Sequence, residues 1–531
     1  MRSPALPLVA LAGVAALTLT ACTGNAAGPT PGATGTLVDG KTFTAVIPAD
    51  PGTLDPFITA MSVARNIDRF LYSRLIEVQN DGTVIAGLAE KWEADATKAS
   101  FTLRAGATCE DGTPITATDV ADNINRIADP ATASPMLGLN VQPATKATGD
   151  DASRTVSVTS GRPDAFLLLN VGGLSIVCST VLDDPKARAA GKGATGMFTL
   201  TENVPNSQYT LTRRKDFTWG AGDWDPKQKG LPDKAVFRVV PNETTAANLV
   251  LSGEVTGAQV LGPDKARLRS AGLHEAAVPA SLGQIVYNQK AGKATADEKV
   301  REALSRALNL EELRKIISGG AGTQPQSMVT VAPAPCRADV VSGHLPALDA
   351  SAAATALDEA GWKAGSDGVR SKDGTPLQLK LLSSSMLGES GRGASEYVQA
   401  AWKKLGVAVE VRDADGPQIS ETLFASGDWD VSLVPLNVAL PSQLVPFYSG
   451  PASPNGSNFA SVSVPAYDEA VARAATKPGT EGCDDWGLAE QALFDSFSVI
   501  PFADEPRVFF SKNATVASGD GIDPFSIRMY E

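Results

Sequence analysis

Leu377-Gln378-Leu379-Lys380-Leu381 and Val407-Ala408-Val409-Glu410-Val411 each place an apolar residue at every second position, the period of a β-strand. Between them Tyr397, Val398, Ala401, Trp402 and Leu405 recur at helical spacing, and Gly406 supplies a C-terminal stop. A strand, helix and strand of this size imply a parallel pair joined by a right-handed crossover. The same grammar occurs far upstream. Val236 to Val240 reads as a buried strand, and Asn242 caps a helix that turns Ala246, Leu249 and Val250 inward and ends at Gly253. A second strand follows over Val255 to Leu261. Two such units predict two α/β lobes.

Working outward, Val300, Ala303, Leu304, Ala307 and Leu308 form one helix face. Asn309 and Glu312 cap a second helix carrying Leu313, Ile316 and Ile317, which stops at Gly319-Gly320. Nearer the start, Phe43, Ala45 and Ile47 alternate as a strand before Asp50-Pro51-Gly52. Thr116 and Asp119 have capping-box spacing ahead of the stripe Val120, Ile124, Ile127. These stripes are core packing and carry no chemistry.

The chain has 531 residues, long enough for two to four domains, and at 43% hydrophobic and 20% charged it can bury a real core. Its 46 basic against 59 acidic residues give a net charge of −13, which argues against a nucleic-acid partner. The two histidines, His274 and His344, exclude a multi-histidine metal site, and neither a metal nor a cofactor is expected. A catalytic constellation is equally hard to find. Gly388-Glu389-Ser390-Gly391-Arg392 fails the nucleophile-elbow pattern at Arg392. Gly191-Lys192 lacks the rest of a phosphate loop, and Asp413-Ala414-Asp415-Gly416 lacks the spacing and terminal Glu of a calcium loop. The weight moves from enzyme towards binding.

Arg2 precedes an apolar run from Ala5 to Leu19, a signal-peptide core by length and short for a membrane span. It ends in Leu19-Thr20-Ala21-Cys22, which resembles the bacterial lipobox. Residues 1–21 are therefore expected to be a lipoprotein signal peptide, Cys22 the lipidated residue, and 22–37 a flexible tether. Cys109, Cys178, Cys336 and Cys483 remain, in a compartment where disulfides persist. Four cysteines allow three pairings. Cys109–Cys178 with Cys336–Cys483 keeps each bond within one predicted domain and is favoured, four buried free thiols being the other reading.

A set of ordered blocks resembles the family 5 (peptide/nickel) substrate-binding proteins of ABC importers. Thr53-Leu54-Asp55-Pro56 is followed by Leu71-Tyr72-Ser73-Arg74-Leu75-Ile76, Asp81-Gly82 and Gly87-Leu88-Ala89-Glu90-Lys91-Trp92. Phe101-Thr102-Leu103-Arg104-Ala105-Gly106 leads to the most specific block, Asp111-Gly112-Thr113-Pro114-Ile115-Thr116-Ala117-Thr118-Asp119-Val120. Gly193-Ala194-Thr195-Gly196-Met197-Phe198, Ser252-Gly253-Glu254-Val255, Tyr287-Asn288 and the run Val300 to Asn309 continue the order. Ala360-Gly361-Trp362 and Gly427-Asp428-Trp429-Asp430-Val431 complete it. Ala194, Met197 and Thr256 depart from the family pattern.

The resemblance implies an α/β, bilobed periplasmic-binding-protein-like fold of the large (class C, type II) kind, with an extra subdomain. Lobe I would comprise 38–283 plus 500–531, with the subdomain at about 57–190, and lobe II 284–499. Hinge crossings would lie near Tyr287 and Ile500-Pro501. The implied role is a lipid-anchored extracytoplasmic protein, expected as a monomer, that captures a peptide or peptide-like solute between lobes. It would deliver that solute to a permease and ATPase complex. A sensor of the same fold, or a secreted hydrolase, are the competing functions.

In peptide binders of the family an Asp beyond the Trp-Asp pair often holds the peptide ammonium, but this chain has no acid between Asp430 and Asp468. That argues against strict recognition of free N-termini. The candidate cleft residues are Tyr287, Asn288, Trp429, Asn437, Ser442 and Gln443, of which Asn437, Ser442 and Gln443 suit a neutral polar ligand.

Overall fold

The structure, a computed structural model, describes residues 35–531 apart from Ala60, Pro263 and Asp520. The expected signal peptide, Cys22 and most of the tether lie outside the described residues.

A seven-stranded mixed sheet forms the frame of lobe I. Strand Thr42–Ile47 lies inside it, because Phe43, Ala45 and Ile47 pack on one face while Val46 serves the other. It pairs in parallel with Lys234–Val239 on one side and Gly257–Val260 on the other. The upstream unit read from the sequence therefore has its two strands flanking Thr42–Ile47. Asn242 accepts the Thr245 N–H at 2.8 Å to start helix Glu243–Ser252, and Gly253 ends it at φ 81°, a conformation that costs glycine little. Strand Arg507–Ser511 returns late in the chain to pair between Gly257–Val260 and His274–Val278.

A four-stranded antiparallel sheet, Ala89–Ala94, Lys98–Leu103, Thr155–Thr159 and Lys146–Asp150, makes the subdomain. Helix Ala117–Ala128 packs on it behind the Thr116 and Asp119 capping box, whose two reciprocal bonds measure 3.1 and 2.9 Å.

Lobe II has a five-stranded sheet. Gln378–Ser384 and Ala408–Ala414 run parallel around helix Gly388–Lys404, whose Trp402 is fully buried. Helices Glu298–Arg306 and Leu310–Ser318 join the same core, the second capped by Asn309 and ended at Gly319. Helices Pro465–Ala475 and Cys483–Asp495 cover the other side.

The two expected hinge positions fall inside this second sheet. Strands Ser281–Tyr287 and Val499–Asp504 are paired antiparallel, Gln284 opposite Pro501 and Ile285 opposite Ile500. A paired ladder on a packed sheet is a poor pivot. The chain passes between the lobes just outside it, around 279–280 and 505–506, where the Glu505 N–H donates to the Ala280 carbonyl at 3.0 Å. The second sheet thus starts earlier and ends later than the expected 284–499 span.

Cys109 and Cys178 are bonded within lobe I and Cys336 and Cys483 within lobe II, with Cα separations of 5.8 and 5.2 Å. No helix among the described residues is long and apolar enough to cross a membrane.

Candidate functional site

A cavity of about 440 Å³ lies between the lobes. That is within the size range of small-molecule sites, about 300–1,000 Å³. Lobe I supplies most of its wall. Helix Ser62–Leu71 turns Val63, Ala64, Ile67, Phe70 and Leu71 into the core. Arg65, Asp68 and Arg69, spaced i, i+3 and i+4, then share the face that looks into the cavity. Arg74, Glu77 and Asp523 add to this charged wall, and Phe57, Met136 and Leu174 give it apolar ground. Lobe II contributes Ala332, Pro333, Ala439, Leu440 and Gln443, a nearly uncharged wall.

The charges are partly matched within lobe I. The Arg69 guanidinium stands 3.1 Å from Glu77 and 4.0 Å from Asp523. Arg65, Arg69 and Arg74 are all engaged in polar or electrostatic contacts. Asp68 is different: it is 3% exposed and neither carboxylate oxygen has a hydrogen-bond donor. Burial pushes its carboxyl well above the usual range and the Asp55 charge adds to this, against the pull of Arg65 and Arg74. Burial also raises Asp523, opposed mainly by Arg69. Asn170 donates from Nδ2 to both oxygens of Asp164, at 3.1 and 3.0 Å, while its own Oδ1 has no partner.

The lobes also meet directly around the cavity. The Arg337 guanidinium donates to the Asn80 carbonyl at 2.5 Å, and the Gly479 N–H to the Ala165 carbonyl at 2.7 Å. Phe166 of lobe I packs on Trp486 of lobe II, ring centroids 6.1 Å apart, within a small apolar cluster that includes Leu440 and Ala474.

Of the six cleft residues expected from sequence, Gln443 alone lines this cavity. Its Oε1 is already used, accepting from the Ala439 and Leu440 N–H groups at 3.0 and 3.2 Å. Tyr287 is fully buried in lobe II, its hydroxyl 2.9 Å from that of Ser305. Asn288 donates to the Trp429 carbonyl at 3.0 Å, and the Trp429 ring lies in the core beside Phe459. Asn437 brackets the lobe crossing, accepting from the Ser281 N–H at 2.9 Å and donating to its carbonyl at 3.2 Å. The Ser442 hydroxyl is buried without a partner and does not line the cavity. Sequence reading missed Asp68 and Arg65. Their i, i+3 spacing was visible, but such a pattern reads as a solvated helix face until a second lobe covers it.

Comparison with known proteins places this geometry in a family. The model for bacterial extracellular solute-binding proteins, family 5 (middle), matches residues 83–458. The chain is 24% identical over 495 residues to the periplasmic murein peptide-binding protein MppA of Escherichia coli, covering 85% of each. It is 26% identical over 385 residues to the E. coli nickel-binding periplasmic protein, covering 70% of each. Among solved structures, a substrate-binding protein of Microbacterium hydrocarbonoxydans complexed with 4-hydroxybenzoate hydrazide superposes with a TM-score of 0.77 at 25% identity. It covers 92% of this chain and all of that one. The fold of Haemophilus influenzae OppA, solved in complex with RPPGFSPFR, matches with a TM-score of 0.75 at 19% identity, over 93% of this chain and 100% of that one. With a two-lobed α/β frame, a cavity walled by both lobes and a family match over most of its length, the chain belongs to the family 5 extracellular solute-binding proteins of ABC importers.

Proposed function

We propose that this protein captures a peptide or peptide-like solute in the interlobe cavity and delivers it, chemically unaltered, to an ABC permease and its ATPase. The observation that carries the reading is the cavity of about 440 Å³ walled by both lobes, with direct lobe-to-lobe contacts around it. A solute held there touches both halves. It therefore stabilises the closed arrangement by its differential affinity for that state, which gives a permease a shape to recognise. Peptide is favoured by the relatives' own descriptions: murein peptide for the E. coli protein, RPPGFSPFR for the H. influenzae complex.

Lipid anchoring at Cys22 completes the proposal. It rests on Leu19-Thr20-Ala21-Cys22 after an apolar run, and each acyl CH₂ buried contributes about 0.8 kcal/mol to membrane retention. Cys22→Ser is expected to move the protein from the membrane to the soluble fraction; retention through a salt wash would contradict it.

Native mass spectrometry of the purified protein tests the cargo directly. A co-purifying peptide that leaves intact on denaturation supports the reading. A broad peptide pool that leaves Tm unchanged, or peptides emerging cleaved, would end it.

A further inference from the structure

Two residues in the cavity wall hold hydrogen-bond acceptors that have no donor. Asp68 and Asn170 are 3% and 1% exposed, and both carboxylate oxygens of the first and the amide oxygen of the second are unpartnered. Both residues line the same cavity. Among the described residues, every other deeply buried acidic residue has a partner; the half-buried Asp504 also has a carboxylate oxygen without a donor, but it does not line the cavity. Asp55 has Arg188, Glu77 has Arg69, Asp164 has Asn170, Asp264 has Thr244, Asp485 has Arg473, Glu490 has Ser327 and Glu505 has Lys265. Desolvating a carboxylate without a donor is among the costliest things a fold can do. An apolar residue at position 68 would remove that cost, since the helix already buries Ile67 and Leu71. An acid kept there at that expense, in the wall of the cavity, points to a functional group.

We propose that Asp68 is the receptor for a cationic nitrogen of the solute, an ammonium whose N–H groups it and Asn170 accept. This rests on the cavity being the binding site, as argued above. The acid absent from lobe II between Asp430 and Asp468 is on this view supplied from the opposite lobe. Lobe II offers no competing receptor in the cavity: its wall is Ala332, Pro333, Ala439, Leu440 and a Gln443 whose amide oxygen is occupied. Glu77 stands within ion-pair distance of Arg69, and Asp523 at its edge, so neither is an unmatched acid. An ammonium has three donors and no acceptor, which suits three acceptor oxygens to which no protein group donates. Burial and the Asp55 charge push the Asp68 carboxyl towards its neutral form and outweigh the pull of Arg65 and Arg74; a cation that also donates hydrogen bonds to it adds to that pull.

The test uses two pools of tripeptides free of Lys, Arg and His, one with free α-ammonium groups and the other the same pool N-acetylated. Each is titrated into the full chain freed of co-purified solute, and read by calorimetry and thermal shift. The free-amine pool is expected to bind wild type about a hundredfold more tightly than the acetylated pool, or ~2.8 kcal/mol at 1.4 kcal/mol per tenfold step. Asp68→Asn is expected to bind both pools alike, at the weaker level. Equal binding of the two pools by wild type leaves the peptide reading standing and overturns the assignment. So does an Asp68→Asn variant that keeps the discrimination. If neither pool binds wild type, the peptide reading falls and the assignment with it. The wild-type arm needs no variant, so a failure of Asp68→Asn to fold does not blunt the test.

Discussion

Glu490 gives the sharpest stability prediction. It sits on helix Cys483–Asp495, buried, where its carboxylate accepts from the Ser327 hydroxyl at 2.9 and 3.0 Å and from the Met328 N–H at 2.6 Å. Burial nonetheless raises its pKa from the ordinary 4.5 to about 7, the two hydrogen-bonding groups pulling back only in part. The folded state therefore binds a proton that the unfolded chain has released. The stabilisation from that proton is complete below pH 4.5 and is lost as pH rises through 7. At 1.36 kcal/mol per pKa unit the full loss is about 3 kcal/mol. Glu490→Gln keeps the shape and can keep partners for both hydrogen-bonding groups, but it never ionises. The variant should match wild type near pH 5 and exceed it at pH 8 by roughly 2–3 kcal/mol. At 2–4 °C per kcal/mol for a lobe of this size, that is about 5–10 °C in Tm. Calorimetric scans of both proteins at pH 5, 6.5 and 8 check this. A variant less stable than wild type at pH 8, or a gain that does not depend on pH, would refute the reasoning.

Three further outcomes follow from the packing. Trp486→Ala removes an aromatic contact across the lobes and should weaken the closed arrangement by roughly 1–3 kcal/mol, seen as a larger radius of gyration in solution scattering; an unchanged profile contradicts it. Arg188→Ala leaves Asp55, which is 0% exposed and bonded to the Arg188 Nε at 2.9 Å, without its counter-charge. It should cost about 3–5 kcal/mol in urea unfolding, and a loss under about 1 kcal/mol would show that the pair is not needed. Replacing Cys109 and Cys178 with Ala releases a loop of 69 residues, a loss of about 4 kcal/mol in the chain-entropy account, measured by the same unfolding.

The frame was legible because its signals are local. Asn242, Asn309 and the Thr116 and Asp119 pair cap the helices they were expected to cap, and the Leu377 to Val411 unit is a parallel pair around its helix. The site was not, for a physical reason. Tyr287, Asn288 and Trp429 are large or polar and lie near a lobe junction in sequence, yet the sheet turns all three into the interior of lobe II. Asn437 and Gln443 do use their amides, but for backbone groups at the crossing and in a turn. Asp68 and Arg65 read alone as exposed helix charges. Only the meeting of segments around 57, 68, 174, 333, 440 and 523 encloses them, and no local pattern encodes that meeting.

One detail of the backbone reaches beyond the binding site. Val38 and Met529 are joined by a hydrogen bond of 3.0 Å, and Leu37 bridges Tyr530, so both termini of the folded body emerge side by side from lobe I. Lobe II is an insertion with no loose end of its own. If the acyl group proposed at Cys22 moors the protein, the leash pulls on lobe I alone and leaves lobe II to swing without drag. A dye or fusion partner placed after Glu531 would ride with the moored half and report on position, while one on lobe II would report on motion.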